Sequence, residues 1–327
     1  MNTKQVLLLG APTDARLLAA RDAPPPGVAF VGPHAHLEDV GDAAPTLDGV
    51  LTWWCGRSAL DPVLEAAPRL RWVHSAAAGL DHLVSPALTE FARTRGGVTN
   101  ARGVFSEALA EWTLAALLHF AKDLARLERD KVARSWSQFE PWALRGTTLG
   151  VYGYGDIGRA CARLAKACGM RVLAHRRHPE RSANDALVDA FLTSPHDLAA
   201  QSDHLLVTLP LTASTHHAVD ARLLAALRPH AVLVNVGRGP TVDERALFDA
   251  LASGRLRGAA LDVFEQEPLP PESPLYALPN LLLSPHCADR EPGWLDATLA
   301  RSLLLAAHFG TGAAFDPADL VDPGAGY

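Results

Sequence analysis

The run Gly153-Tyr154-Gly155-Asp156-Ile157-Gly158 constrains this chain more than any other segment. Three glycines at this spacing carry weight only between a strand and a helix. The apolar stretch Leu149–Tyr152 precedes them and the amphipathic stretch Ile157–Cys168 follows. A second apolar run, Val172–His175, comes about twenty residues on, as a βαβ unit requires. In such a turn Gly153 permits the tight bend, Gly155 lets the backbone approach a pyrophosphate, and Gly158 lets helix pack on strand. Free N–H groups at the helix start, together with the helix dipole, favour the anion. The segment is therefore expected to bind a dinucleotide, with Tyr154, Asp156 and Ile157 lining the turn beside the glycines.

The rest of the chain repeats the same alternation. Short apolar runs and amphipathic helical patterns follow one another almost throughout, which predicts α/β architecture with parallel sheets. A length of 327 residues predicts two domains. In the first hundred residues Val6–Leu9, Val28–Val31, Val50–Trp53 and Trp72–His74 read as strands. Ser106 reads as the N-cap of one long helix, with Leu109, Trp112, Ala116, Leu117, Phe120, Leu124 and Leu127 at helical spacing. From Thr148 a second unit begins, whose later strands are Leu205–Leu209, Ala231–Val236, Ala259–Asp262 and Leu281–Leu283. The last helix, Trp294–His308, is too small to be a domain and is expected to return to the first unit. The expected fold is thus two Rossmann-like domains. A dinucleotide-binding domain, 101–286, is inserted into a discontinuous, flavodoxin-like substrate domain, 1–100 and 287–327.

Composition narrows the function classes. A net charge of −6 with scattered acidic residues points away from nucleic acid and anionic membranes. Val6–Leu9 is too short to span a bilayer. Cys55, Cys161, Cys168 and Cys287 form no C-x-x-C pair, which suggests a reduced, cytoplasmic protein without structural metal. Cys161 and Cys168 are expected on one helix face as buried thiols. In the connector Trp136–Gly146, the apolar Trp136, Phe139 and Trp142 fit either a subunit interface or an intramolecular cover.

Strand ends carry the chemistry, because ligands of doubly wound sheets sit beyond the carboxyl ends of the strands. After Val172–His175 a carboxylate would bind the adenosine ribose of NAD. Here Arg176 and Arg177 follow instead, and no acid appears until Glu180. Two guanidiniums suit a 2′-phosphate, so NADP is favoured over NAD; a solvated basic loop is the other reading. Leu209, Pro210 and Val236, at neighbouring strand ends, are placed with the cofactor. Arg238 follows one strand, Asp262 ends the next with Glu267 close behind, and His286 follows the last. Ketone reduction needs a hydride and a proton, and His is suited to give the proton near neutral pH. Glu267 would orient and charge that imidazole, and Arg238 would bind a substrate carboxylate and stabilise developing negative charge.

Several stretches in this order resemble the D-isomer-specific 2-hydroxyacid dehydrogenase family: Val73–Asp81, the glycine turn, Val234–Gly239, Leu261–Pro268 and Ser284–His286. The resemblance spans nearly the full length. It implies an Arg238/Glu267/His286 catalytic set. It also implies a substrate carboxylate held by backbone N–H groups around Ala78 and Gly79, a nicotinamide amide held by Asp262, and a homodimer joined through the dinucleotide domain. Arg176 in place of the usual acid resembles NADP-using glyoxylate or hydroxypyruvate reductases. Cys287-Ala288-Asp289 departs from the small residues usual after the histidine. Trp53 and Trp54 either narrow the substrate pocket or belong to the core. The leading expectation is reversible hydride transfer between NAD(P)H and a small 2-keto acid. Formate or phosphite oxidation on the same scaffold, or a cofactor-sensing corepressor, are the alternatives; an intact Arg/Glu/His set argues for turnover.

Overall fold

The computed structural model describes residues 3–182 and 184–325. The chain divides into two compact units, Met1–Val104 with Pro292–Tyr327, and Phe105–Glu291. The boundaries expected at 100 and 286 therefore fall at 104 and 291.

The first unit runs β1 (Lys4–Leu9), α1 (Ala15–Asp22), β2 (Val28–His34), β3 (Gly49–Thr52), α2 (Arg57–Ala66), β4 (Trp72–Ser75), α3 (Pro86–Thr94) and β5 (Gly97–Asn100). The sheet order is β2-β1-β3-β4-β5 and every pairing is parallel. Strands β3 and β4 are buried at every residue, as expected of a sheet covered on both faces. Sequence reading missed β5, whose four residues hold one large apolar side chain. The second unit runs α4 (Ser106–Lys122), α5 (Leu124–Val132), β6 (Thr148–Tyr152), α6 (Asp156–Ala167), β7 (Arg171–His175), β8 (Ala190–Phe191), α7 (Pro195–Gln201), β9 (His204–Val207), α8 (Ala221–Ala226), β10 (Val232–Asn235), α9 (Glu244–Ala252), β11 (Gly258–Leu261) and β12 (Leu281–Leu283). Its sheet, also parallel, has the order β12-β11-β10-β9-β6-β7-β8. The carboxyl ends of β6, β9, β10, β11 and β12 consequently share one edge.

The long helix expected from Ser106 is two helices. Asp123 adopts a left-handed conformation (φ 49°) that ends α4, and its carboxylate accepts from Arg126 N–H at 3.3 Å to start α5. Ser106 is the first helical residue rather than the N-cap. Its hydroxyl donates instead to the Asp156 carboxylate at the start of α6, so α4 and α6 are tied at their amino ends. Cys161 packs between them beside Thr113, and burial pushes its thiol up to about 12. Cys168 does not share that site: it caps α6 and is half-buried.

The last helix, α10 (Trp294–Gly310), belongs to the first unit, and the reason is aromatic. Trp72 on β4 is fully buried and stacks on Phe309 of α10 at 5.1 Å and on Phe315 beyond it at 5.9 Å. Beside it His74 is fully buried, with Nδ1 2.9 Å from Thr99 Oγ1 and Nε2 2.9 Å from Ser302 Oγ on α10. The Ser302 hydroxyl donates to Thr298 O, so Nε2 carries the proton and Nδ1 accepts from Thr99. Burial first, and then the Arg301 charge, lower the His74 pKa to about 3. The neutral ring is therefore favoured in the fold. Stability from this site is complete above the ordinary pKa of 6.5 and is lost as pH falls from there towards 3. The loss is large when fully developed, because the buried ring must take up a charge. We expect thermal melts between pH 7 and pH 5 to show a smaller acid loss in His74→Gln than in the unmodified chain. Equal acid slopes would sink the assignment.

Candidate active site

The glycine turn joins β6 to α6, and each glycine has a separate steric reason. Gly153 lies at φ 103°, and a Cβ there would come within 2.9 Å of the Thr208 backbone. A Cβ on Gly158 would press on Val151 Cγ1 at 2.9 Å, where helix meets strand. A Cβ on Gly155 would meet nothing within 4 Å; it would fill open space at the amino end of α6. Gly155 offers no side chain to cap the helix, which leaves the first-turn N–H groups to an anion or to water. These features fit a nicotinamide dinucleotide's pyrophosphate. Tyr154 differs from expectation in one respect: its side chain is buried, and its hydroxyl donates to Asp185 at 3.0 Å, so only its backbone faces the turn. Asp185 also receives Arg159 at 2.7 Å, which ties α6 to the segment after β7.

Past β7, Arg176 is half-buried and its guanidinium donates to the Ser182 hydroxyl, whereas the Arg177 side chain is exposed. Leu209 and Val236 are buried and Pro210 is half-buried, at the ends of β9 and β10. A Cβ on Gly237 would lie 2.7 Å from Leu209 O, so these two loops pass in close contact.

The downstream strand ends bring the expected polar residues to the same edge. His286 follows β12 and its Nδ1 lies 2.6 Å from Glu267 Oε2. The other oxygen of Glu267 accepts from Phe264 N–H at 2.9 Å, which fixes the carboxylate's direction. Because Nδ1 is engaged by the carboxylate, Nε2 is the nitrogen presented elsewhere. The hydrogen bond to Glu267 raises the His286 pKa above its ordinary value, against the opposing effects of burial and of the Arg238 charge. Burial pushes Glu267 up, but the bonds from His286 and Phe264 N–H outweigh it and hold the carboxyl below its usual range. Arg238, after β10, donates to Gly237 O at 2.7 Å, and its charge acts on both members of the pair. Asp289 is half-buried, and its carboxyl is held above the ordinary range by burial and then by Asp262, with His286 opposing.

Asp262 is almost completely buried, and its Oδ1 is already engaged inside the unit. It accepts from the Ser284 hydroxyl at 2.6 Å and from the N–H groups of Cys287 at 2.9 Å and Ala288 at 3.1 Å. Sequence reading gives Ser284 no role beyond its place in a family stretch and does not mark Asp185 or Ser182; their partners are set by loop geometry and leave no spacing signal.

In the first unit, Trp53 is core, with its indole N–H donated to Asp14 at 3.0 Å. Trp54 is 47% exposed in a left-handed conformation (φ 54°), edge-on to Trp294 at 5.3 Å. Ala78 and Gly79 are half-buried in the loop after β4, where Ala78 O accepts from Asn100 Nδ2 at 2.5 Å. Among the described residues no group of three His, Cys, Asp or Glu is arranged to hold a metal, and no helix is long and apolar enough to cross a membrane.

Residues 114–288 match the family model described as D-isomer specific 2-hydroxyacid dehydrogenase, NAD binding domain. The chain belongs to the D-isomer specific 2-hydroxyacid dehydrogenases. Among its relatives, the glyoxylate reductase of Aeropyrum pernix is 41% identical over 238 residues, 69% of each chain. The glyoxylate/hydroxypyruvate reductase B of Yersinia enterocolitica is 37% identical over 76% of this chain and 77% of its own. The structure of an NADPH-dependent glyoxylate/hydroxypyruvate reductase from Sinorhizobium meliloti, in complex with NADP and malonate, superposes with a TM-score of 0.76. It is 32% identical and covers 99% of this chain and 98% of that one. As a 2-hydroxyacid dehydrogenase, the protein is an NAD(P)-dependent oxidoreductase with a nicotinamide cofactor.

Proposed function

We propose that this dehydrogenase reduces short 2-keto acids of the glyoxylate and hydroxypyruvate type with NADPH, and that His286 is its general acid and base. The observation that carries this reading is the 2.6 Å contact between His286 Nδ1 and Glu267, on the sheet edge that also bears the glycine turn. When bound, the nicotinamide supplies the hydride that reduces the carbonyl carbon. Arg238 holds the substrate carboxylate and stabilises negative charge on the carbonyl oxygen. His286 donates its Nε2 proton to that oxygen, which completes the hydroxyl, and Glu267 stabilises the imidazolium beforehand and keeps the ring oriented. Oxidation of the hydroxy acid runs the same steps in reverse with neutral His286 as base. Ala78, Gly79 and Trp54 are assigned to the substrate, and Asp262 to the cofactor as well as to the loop it holds.

The preference for NADP rests on Arg176 and its Ser182 partner, an arginine and a hydroxyl suited to a 2′-phosphate, with no carboxylate at the end of β7. NADPH oxidation should be measurable with glyoxylate or hydroxypyruvate, and Arg176→Asp should move the kcat/KM ratio of NADPH to NADH towards NADH by about 10–100-fold, the range of one to two lost charge-assisted bonds. A chain that already prefers NADH strongly would overturn the cofactor reading. Failure with every short 2-keto acid would overturn the substrate reading.

We also infer a homodimer formed through the dinucleotide unit. Trp136 is 96% exposed, and Val132, Leu127 and Leu124 are exposed on the preceding helix, whereas Phe139 lies under Arg126 at 4.2 Å and Trp142 under Arg257 at 4.4 Å. The first group suits a second copy of this chain; Phe139 is intramolecular cover, and Trp142 keeps 43% of its surface exposed beside Arg257. Sedimentation velocity should give a dimer for the unmodified chain and a shift to monomer for Trp136→Asp.

A further inference from the structure

His286 occupies a left-handed backbone conformation, with φ at 52°. A residue with a bulky side chain holds that conformation only where its surroundings impose it. Here the imposing group can be named. Asp262 O accepts from His286 N–H at 2.9 Å, and Asp262 Oδ1 gathers the next two N–H groups, those of Cys287 and Ala288. Successive N–H groups around a left-handed residue form a concavity that suits an anion, and the Asp262 carboxylate fills it. Ser284, two residues before His286, closes the arrangement by donating its hydroxyl to the same oxygen at 2.6 Å. Both Asp262 and Ser284 are buried. One residue at the end of β11 therefore grips the β12 loop on both sides of the histidine.

We propose that Asp262 and Ser284 are positioning residues for the reaction: together they hold the His286 loop in the conformation that presents Nδ1 to Glu267. This inference rests on the reading of His286 as the proton donor. It adds to the cofactor contact assigned to Asp262 a second role, one that acts through the histidine. Without the clamp, His286 relaxes from its left-handed conformation and leaves Glu267. Its affinity for a proton then falls and its ring loses its orientation.

The charged groups facing His286 are Glu267 on the loop after β11, Asp262 at the end of β11, Arg238 after β10, and Asp289 on its own loop. Removing Asp262 would change charge as well as geometry, so Ser284→Ala, which alters no charge, is the decisive variant. The titration of His286 can be followed by histidine NMR on the cofactor-free chain, with its signal identified by its loss in His286→Gln. In Ser284→Ala the His286 titration is expected to move to lower pH, and kcat to fall about 10-fold with NADPH affinity, read by fluorescence, unchanged within about 3-fold. Ser284→Thr, which keeps the hydroxyl, should restore both. Asp262→Asn, which keeps an acceptor for the two N–H groups, should retain more rate than Asp262→Ala.

An unmoved His286 titration in Ser284→Ala, with kcat within about 2-fold of the unmodified chain, would overturn the proposal. So would a rate loss in Asp262→Ala matched entirely by lost NADPH binding. The NMR titration needs no turnover. If His286→Gln keeps its rate while the titration moves as expected, the proton-donor reading fails and the clamp stands.

Discussion

Replacing His286 with alanine is expected to lower kcat for keto-acid reduction by about 10³-fold, within the 10²–10⁴-fold that a positioned general acid contributes. NADPH binding should change little, because the glycine turn and Arg176 are untouched. The pH dependence gives the prediction its sign. Glu267 raises the His286 pKa above its ordinary value, so the protonated form needed for reduction persists to higher pH than a free histidine would allow. The rate of reduction should fall as pH rises through that value, and oxidation of the hydroxy acid should rise over the same range. In Glu267→Gln the ring loses its anionic partner. The falling limb should then move to lower pH, with a smaller loss of rate than in His286→Ala. Three observations count against the assignment: a retained rate in His286→Ala, an unmoved limb in Glu267→Gln, or a limb that moves upward.

A second large effect is expected from steric contact alone, with no change of charge. A Cβ on Gly239 would lie 1.9 Å from both the carbonyl carbon and the oxygen of Phe264, and 2.5 Å from Glu265 N. All three are backbone atoms, so no side chain can rotate away. Gly239→Ala must therefore push the loop after β10 away from the loop after β11. Overpacking of this kind costs about 3 kcal/mol or more, which corresponds to a fall in Tm of about 6–12 °C for a unit of this size. The same two loops carry Arg238 and Glu267. A displacement of the order of 1 Å there should lower kcat/KM about 100-fold in whatever protein remains folded. Gly56→Ala, where the nearest atom to the added carbon is 3.7 Å away, serves as the control and should leave Tm nearly unchanged. Equal melting curves for the two variants would show that the contact at Gly239 is not as close as described.

Much of this architecture was legible in the residue order, for a physical reason. Inner strands of parallel sheets are buried on both faces and read as unbroken apolar runs, so β1, β3, β4, β6, β7 and β9 to β11 read to within a residue or two; the half-buried edge strand β12 reads as well because it is three leucines. Parallel topology also puts successive carboxyl ends on one edge, which is why Arg238, Glu267 and His286 group together from the residue order alone. What escaped was conformation at single residues. The left-handed Asp123 breaks a helix whose apolar spacing continues through it, and periodicity is blind to that. The two-residue strand β8 carries too few residues to show a pattern. The inward turn of Tyr154, the Arg176–Ser182 contact and the clamp of Asp262 on the His286 loop depend on where loops fold back. Local composition does not encode that.

The burial of Trp72 has a consequence for the order of events during synthesis. Its partners Phe309 and Phe315 are more than two hundred residues downstream, and so is Ser302, the partner of His74. The segment Phe105–Glu291 is continuous and leaves the ribosome as a complete unit, able to condense as soon as it emerges. The segment made first must wait, with an indole and an imidazole uncovered, until α10 is translated. The face of β4 that α10 covers therefore stays open to solvent while the whole intervening segment is made.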